Sequence, residues 1–464
     1  MKIDYYYLVT SKENQGVIYN EGIALLASLA KKGGADVSVQ VLDLADVRNG
    51  NVKYREADYH ALGFASLQFP LAKLLVREIA GRKTGGKIVA GGIHATVARE
   101  SLIQVPELDA VVSGEGEPFI EWLVSSSGGD LAGCNLSNVY VKGRPPAPLV
   151  HTEPVDVNSL PFPDRRPFGI EKIARFPEFI FSRGCPYSCK YCANEFLNGN
   201  FGRKIRRKTP DYAVEEVKKV VSDCGVAADT MLTFHDDIFI SQTKWLVEFA
   251  GRYTSEVGNA FRCNTTASML NEEKAGILKE MNCGEIWIGV EVGNERFRRE
   301  VLGKKITNEQ VIRAFGISKR YGLNSVAFIL LGVSGEKRRH ILDTMRLCRR
   351  IQPTYLTVAV FIPFPGTSLY EMEKKNGNLR EIDEASGDKG VAFSGLKRKS
   401  VSDFEYSIYA QLLRYYTDRK TFVFLMLMVY KLPVFALIRP VLKKIIAPLR
   451  DRLLPKYIVN KRNQ

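Results

Sequence analysis

The segment Ser182-Arg-Gly-Cys185-Pro-Tyr-Ser-Cys189-Lys-Tyr-Cys192-Ala-Asn194 puts three cysteines within eight residues, spaced C-x3-C-x2-C, with a tyrosine before the last. Three thiolates on one short loop suit three irons of a [4Fe–4S] cluster, whereas ferredoxin-type sites add a fourth cysteine close by. Here the next cysteine is Cys224. The fourth iron would lack a protein thiolate and stay open to a small molecule, which separates a catalytic metal centre from a closed structural one. The competing reading is a structural zinc loop, which wants four ligands, commonly as two Cys or His pairs. No second pair follows, and His235 stands alone.

The loop resembles the signature of the radical S-adenosylmethionine (SAM) enzymes. The resemblance implies SAM chelated to the open iron, one-electron cleavage to a 5'-deoxyadenosyl radical, and hydrogen abstraction from an unactivated carbon. It also implies an electron donor such as a flavodoxin or ferredoxin, and a barrel fold. Strand-like runs alternate with helical ones from 175 to 385: Phe179–Ser182, Thr230–Phe234, Phe261–Asn264, Glu285–Gly289, Ser325–Leu331 and Leu356–Phe361. Six strands predict a partial (β/α)6 barrel, whose chemistry collects on the loops after the strands. Those loops carry the residues that the resemblance assigns to SAM. They are Asp236 and Asp237 near its amino group, Arg262 and Asn264 toward its sugar or carboxylate, Gly289 and Glu291 in a G-x-E-x-G stretch, Gly332 in a G-x-P-G-E-like turn with Ser334 for Pro, and Phe364 beside adenine. Each has a plainer reading: Asp236 or Asp237 as a helix cap, Arg262 as a surface ion pair, Glu291 paired with Arg296 or Arg298. The basic run Lys204–Lys208 reads either as a solvated face or as a holder of SAM or an anionic cofactor tail. Tyr187 and Tyr191 are placed to shield the cluster.

Residues 1–145 alternate in the same way, with strands at Lys2–Val9, Asp36–Leu42, Ala61–Ser66, Lys87–Ala90 and Ala110–Ser113, and helices at Tyr19–Gly34 and Leu71–Gly81. This predicts a flavodoxin- or Rossmann-like sheet wound on both faces, with ligands at the carboxyl ends of its strands. Three loops there, around Ser66, Gly91-Gly92-Ile93-His94 and Gly114-Glu115, resemble the cobalamin-binding domain in front of many radical SAM enzymes. The D-x-H-x-x-G motif that supplies a cobalt-ligating His elsewhere is absent. The resemblance assigns Ser66, Gly91, Gly92, His94, Gly114 and Glu115 to cobalamin; the alternative is an empty flavodoxin-like module with His94 a turn residue. Pro-rich 146–174 reads as a linker.

Residues 386–464 form a basic, apolar, helical C-terminal region. Net charge is +15 overall. Within 401–464, twelve Lys or Arg face four Asp or Glu, so that segment carries about half the excess. The apolar stretch Thr421–Ile438 is broken by Lys431 and Pro433, so its clean run is short of the ~20 residues that span a bilayer. With the basic residues through Arg452, residues 421–452 suit an interfacial helix on a membrane, or a helical pair packed on the barrel. Basic residues interleaved with aliphatics do not favour nucleic acid. Eight cysteines, the five outside the loop scattered, make no disulfide framework, and an oxygen-sensitive cluster points to a cytoplasmic location, peripheral on the inner face of the membrane.

The combined expectation is a cobalamin-dependent radical SAM enzyme that methylates an unactivated carbon of a small-molecule or lipid, isoprenoid-like substrate. Radical cyclisation, rearrangement or C–C coupling without methyl transfer is the second reading. A non-catalytic cobalamin or redox sensor is the third.

Overall fold

A computed structural model describes residues 1–10, 19–82, 85–126, 128–380, 395–397 and 400–416. The basic apolar segment 421–452 lies outside the described residues, as does most of 386–464. Among the described residues no helix is long and apolar enough to cross a membrane.

Two six-stranded sheets carry the chain. The first comprises β1 (Lys2–Leu8), β2 (Asp36–Leu42), β3 (Tyr59–Gly63), β4 (Lys87–Gly91), β5 (Ala110–Val112) and β6 (Val139–Val141), in the order β2-β1-β3-β4-β5-β6. β1 to β5 are parallel; β6 pairs antiparallel with β5. This is the flavodoxin-like order, whose switch point between β1 and β3 opens a crevice at the carboxyl ends. Helix Glu21–Lys32 begins where Asn20 accepts the Ile23 amide at 2.9 Å, and it buries Ile23, Ala24, Leu25, Ala27 and Ala30. Helix Phe69–Gly81 covers the other face with Leu71, Leu75 and Ile79. The edge strand β6 is not among the expected strands, since Val-Tyr-Val is too short to show alternation.

The second sheet contains β7 (Glu178–Phe179), followed after the cysteine region by β10 (Leu232–Phe234), β11 (Phe261–Thr265), β12 (Cys283–Glu291), β13 (Asn324–Leu331) and β14 (Tyr355–Val360). All are parallel and adjacent in chain order. With six strands and no pairing between β7 and β14, it is an open partial barrel. Its helix-facing side is an aromatic core of Phe179, Phe181, Phe234, Phe239, Phe249, Tyr253 and Phe261. The first barrel helix, Pro210–Cys224, starts where Thr209 accepts the Tyr212 amide and Pro210 takes the first helical position, and Gly225 ends it in the left-handed region at φ +67°. Helix Asp403–Tyr416 packs across β14, with Tyr406 and Leu413 buried.

One expected strand is corrected. Phe179–Ser182 does not run unbroken into the cysteine loop. The chain leaves the barrel after Phe179 and forms β8 (Ser182–Arg183), which pairs antiparallel with β9 (Arg206–Arg207). The cysteine loop and the helix Ala193–Phe201 are therefore an excursion hung on a small hairpin.

Candidate active site

Cys185, Cys189 and Cys192 are half-buried on this excursion. Asn198, on the helix that follows, gathers the loop by donating to the Cys185 carbonyl (3.0 Å), the Tyr187 carbonyl (2.9 Å) and Ser188 Oγ (3.3 Å). The Cys192 amide bonds to the Cys189 carbonyl, and the Lys190 amide to Leu302 in the barrel. Asn194 bridges Cys192 Sγ (3.7 Å) and Asp237 (3.1 Å). Gly184 has φ +97°, and a Cβ there would stand 2.9 Å from the Lys204 carbonyl, so the turn into the loop needs glycine. Among the described residues no three His, Cys, Asp or Glu side chains converge on one metal ion. Three thiols on one loop, each able to take its own iron, are the donor set of a cluster with one open corner. The donor set fits the cluster. Burial pushes the Cys185 thiol up to about 12 and raises Cys189 and Cys192. Deprotonation of the loop is therefore coupled to metal loading.

The residues assigned to SAM separate into different environments. Asp237 faces a cavity, and burial raises its pKa. Asp236 is fully buried and spent on structure: it accepts the Phe181 amide (3.1 Å) and the Ser182 hydroxyl, fixing the exit from β7. Asn264 donates to the Asp236 carbonyl at 3.2 Å. Glu291 takes neither Arg296 nor Arg298. It accepts from Lys304 Nζ (2.9 Å) and from the hydroxyl of Tyr191, which lies between two cysteines (3.1 Å). Glu291 holds φ +64°, at an irregularity in the β12–β13 ladder. A Cβ on Gly289 would fall 2.5 Å from the Glu291 carboxylate and 2.7 Å from Lys304 Nζ, so this glycine makes room for the pair. Gly332, at φ +81°, donates to Glu336 at 2.7 Å; burial pushes that carboxyl up to about 8. The Phe364 carbonyl accepts from Thr367, which caps helix Ser368–Lys375. Arg262 donates through Nε to Thr233 Oγ1 (2.8 Å) and lies over the Trp287 ring.

A cavity of about 730 Å³ lies between the two sheets. On one side it is lined by strand ends of the first sheet, including Gly63, Gly91, Gly92, Gly114 and Glu115; on the other by Ser182, Gly184, Asn194, His235 and Asp237. Gly92 (φ +91°) could carry no Cβ without pressing to 3.2 Å on Phe64 backbone, and a Cβ on Gly114 (φ +83°) would meet the Phe201 ring at 3.3 Å. Two residues assigned to this cavity by sequence are turned away from it. His94 and Ser66 do not line it; they bond to each other at 3.0 Å, and the other His94 nitrogen is 3.2 Å from Ser101 Oγ. Packed against Phe64 and Phe69, His94 is buried and its pKa is lowered to about 4 by desolvation. It is a core histidine, with neither nitrogen free to ligate.

Within the basic run Lys204 is exposed and lines the cavity, whereas Arg206, Arg207 and Lys208 are engaged by other side chains. Arg183 and its cross-strand partner Arg206 grip Glu115 at 2.7 and 2.8 Å; Arg183 also pairs with Glu117. Burial opposes ionisation of Glu115, but the two arginines outweigh it and lower its pKa. Arg207 stacks on Trp245, 4.4 Å from the ring centre, and donates to Phe239 and Ile238 carbonyls. Lys208 sits between Glu21 and Glu216, 2.7 Å from each, and Arg165 completes the quartet at 2.8 Å from Glu216. The hairpin is thus clasped to the loop after β5, and both sheets are tied through buried charge. Sequence reading missed Lys304 and Asn198, whose partners lie 10 to 13 residues away, and Glu117 and Arg183, which are 66 apart; no local spacing marks any of them.

The family model of the radical SAM superfamily matches residues 179–348, from β7 through β13. A protein named as an uncharacterised methyltransferase, from Pyrococcus horikoshii, is 29% identical over 63% of this chain and 64% of its own length. The anaerobic magnesium-protoporphyrin IX monomethyl ester cyclase of Rubrivivax gelatinosus is 26% identical over 61% of this chain and 52% of its own. Among solved structures, a radical SAM methyltransferase from Kitasatospora setae, determined with cobalamin and a [4Fe–4S] cluster, superposes with a TM-score of 0.64 at 17% identity, covering 82% of this chain and 76% of that one. The chain spans about half to two thirds of the length of the two curated relatives. The radical SAM model thus covers the segment 179–348, which holds the cysteine loop and most of the open barrel, and the two-sheet fold is that of the Kitasatospora structure.

Proposed function

We propose that this chain is a cobalamin-dependent radical SAM methyltransferase acting on a carbon of a small molecule. The observation that carries the reading is the cavity of about 730 Å³, which meets glycine-rich strand ends on one side and the residues flanking the cysteine loop on the other. Its volume falls in the range of cofactor sites, which run from about 300 to 1,000 Å³. Gly91, Gly92 and Gly114 offer backbone at close range to a large flat cofactor, as strand-end glycines do in open α/β sheets. The relative named as a methyltransferase and the cobalamin in the structural neighbour support the same reading.

When bound, the cluster and SAM supply a carbon-centred radical and cobalamin supplies a methyl group; the protein's part is placement and shielding. Cys185, Cys189 and Cys192 would hold the cluster. Asp237, held by Asn194, offers an acceptor beside it. Tyr191, tied to Glu291 and Lys304, closes one flank of the loop, and exclusion of water protects a radical centre.

The test is anaerobic reconstitution with cobalamin, followed by metabolite extracts and SAM under a strong reductant. The expected result is one corrinoid per chain, 5'-deoxyadenosine, S-adenosylhomocysteine and a product heavier by one methyl. Formation of 5'-deoxyadenosine without S-adenosylhomocysteine would move the assignment to rearrangement or cyclisation, the chemistry named for the Rubrivivax relative. Binding of SAM with no cleavage would indicate a sensor.

A further inference from the structure

Among the described residues, one face of the barrel sheet leaves a row of side chains half-exposed. Along β11 the half-exposed residues Arg262 and Asn264 alternate with buried Phe261, Cys263 and Thr265. On β12 and β13 the half-exposed positions include Trp287 and Phe328. These side chains meet around Trp287. Phe328 lies 5.6 Å from its ring, His235 stands edge-on at 6.0 Å, and the Arg262 guanidinium is 5.1 Å from the ring centre. His235 also lines the cavity between the sheets, so this face and the cavity adjoin there.

The charges on this face are unequally matched. Glu285 accepts the Trp287 indole N–H, and Glu178 is 2.7 Å from His235. Asp237 takes the Asn194 amide. Arg262 is held by Nε alone, and its two terminal nitrogens have no acceptor among the described residues. A guanidinium seated over an indole and held through Nε is oriented in advance, and its planar fork matches a carboxylate or phosphate.

We propose that Arg262, fixed by Thr233 and Trp287, is the anion-recognition group of the substrate site, and that the substrate joins an apolar, ring-bearing body to a carboxylate or phosphate. Trp287 and Phe328 take the body and Arg262 takes the anion. The inference rests on the reading of the chain as a radical SAM enzyme of a small molecule.

The test titrates cluster- and cobalamin-loaded protein with 2-naphthoate, 2-naphthyl phosphate and neutral 2-naphthamide, by calorimetry, with and without SAM. At least one anion is expected to bind about tenfold more tightly than the amide, with SAM present. Arg262→Gln should erase that preference and Arg262→Lys should restore part of it, both with unchanged cluster absorbance and thermal midpoint. The stronger of the two anions separates a carboxylate substrate from a phosphate one. Equal affinity for all three probes, binding of none, or an anion preference that survives Arg262→Gln overturns the inference. So does loss of anion binding when SAM is added, which would assign Arg262 to SAM itself. SAM cleavage by the same wild-type preparation tests the underlying reading separately: its failure sinks that reading, whereas cleavage without anion preference sinks only this one.

Discussion

The first and last cysteines of the loop are positioned by neighbours: Gly184 makes the turn before Cys185, Asn198 binds the Cys185 carbonyl, and Asn194 reaches Cys192. Replacing Cys185, Cys189 or Cys192 with Ala is expected to abolish the broad iron–sulfur absorbance and SAM cleavage while the fold survives; full iron content in any of the three would refute the ligand assignment. His94 supports a pH prediction. Its folded pKa of about 4 lies below the ordinary 6.5, so the unfolded chain binds the extra proton between those values. Stability is then whole above pH ~6.5 and falls as pH drops toward 4, by on the order of 3 kcal/mol at most from this group. Urea midpoints across pH 4–7 should show that slope, and His94→Gln should flatten it. At this scale the sequence discloses residue types but not directions. Asp236 and Asp237 are adjacent acids on one loop, yet one is buried under the backbone of Phe181 and the other faces the cavity. Nothing in the dipeptide distinguishes them, because a loop has no fixed side-chain period.

Among the elements, the β8–β9 hairpin matters most to the site. It carries residues 184–205 as a closed excursion and is fastened by Glu115 and Glu117. Glu115→Ala and Arg183→Ala should each cost about 1–3 kcal/mol, and the double mutant should cost less than their sum, with a coupling energy of about 1–3 kcal/mol. Additive losses in urea unfolding would show that the clasp carries no coupling. The same variants should release iron sooner on gel filtration, since the base of the loop is no longer held. The barrel strands β10 to β14 were legible because each is an apolar run ending in a polar loop, and tertiary packing agrees with that pattern. The hairpin was not, because Ser182-Arg183 and Arg206-Arg207 carry no apolar signal; cross-strand pairing and charge hold them. The run Arg206–Lys208 hides its partners for the same reason. Its side chains point to Glu115, to Trp245 and to a buried quartet, contacts that no local charge count reveals.

Across the whole molecule, the quartet of Glu21, Glu216, Arg165 and Lys208 joins helix Glu21–Lys32, the linker and the first barrel helix. Burial works against the charge on Glu216, but Lys208 and Arg165 prevail and hold its carboxyl below the usual range. Removing one member of such a set leaves the others uncompensated. Glu216→Ala is expected to destabilise by about 3–5 kcal/mol, read as a lowered urea midpoint, and Glu216→Gln by less. A loss under 1 kcal/mol would mean that water reaches the quartet. The stacking of the two sheets was not readable beforehand, although each sheet was, because its ties span up to 187 residues.

The quartet also constrains how such a protein can be rearranged. Its acids and bases, like those of the clasp, are divided between the front module and the barrel. A front module grafted from a relative would strand cations against apolar neighbours unless Glu21, Glu115 and Glu117 travel with it. Specificity engineering by swapping whole halves should therefore succeed only between chains that share this charge pattern across the seam.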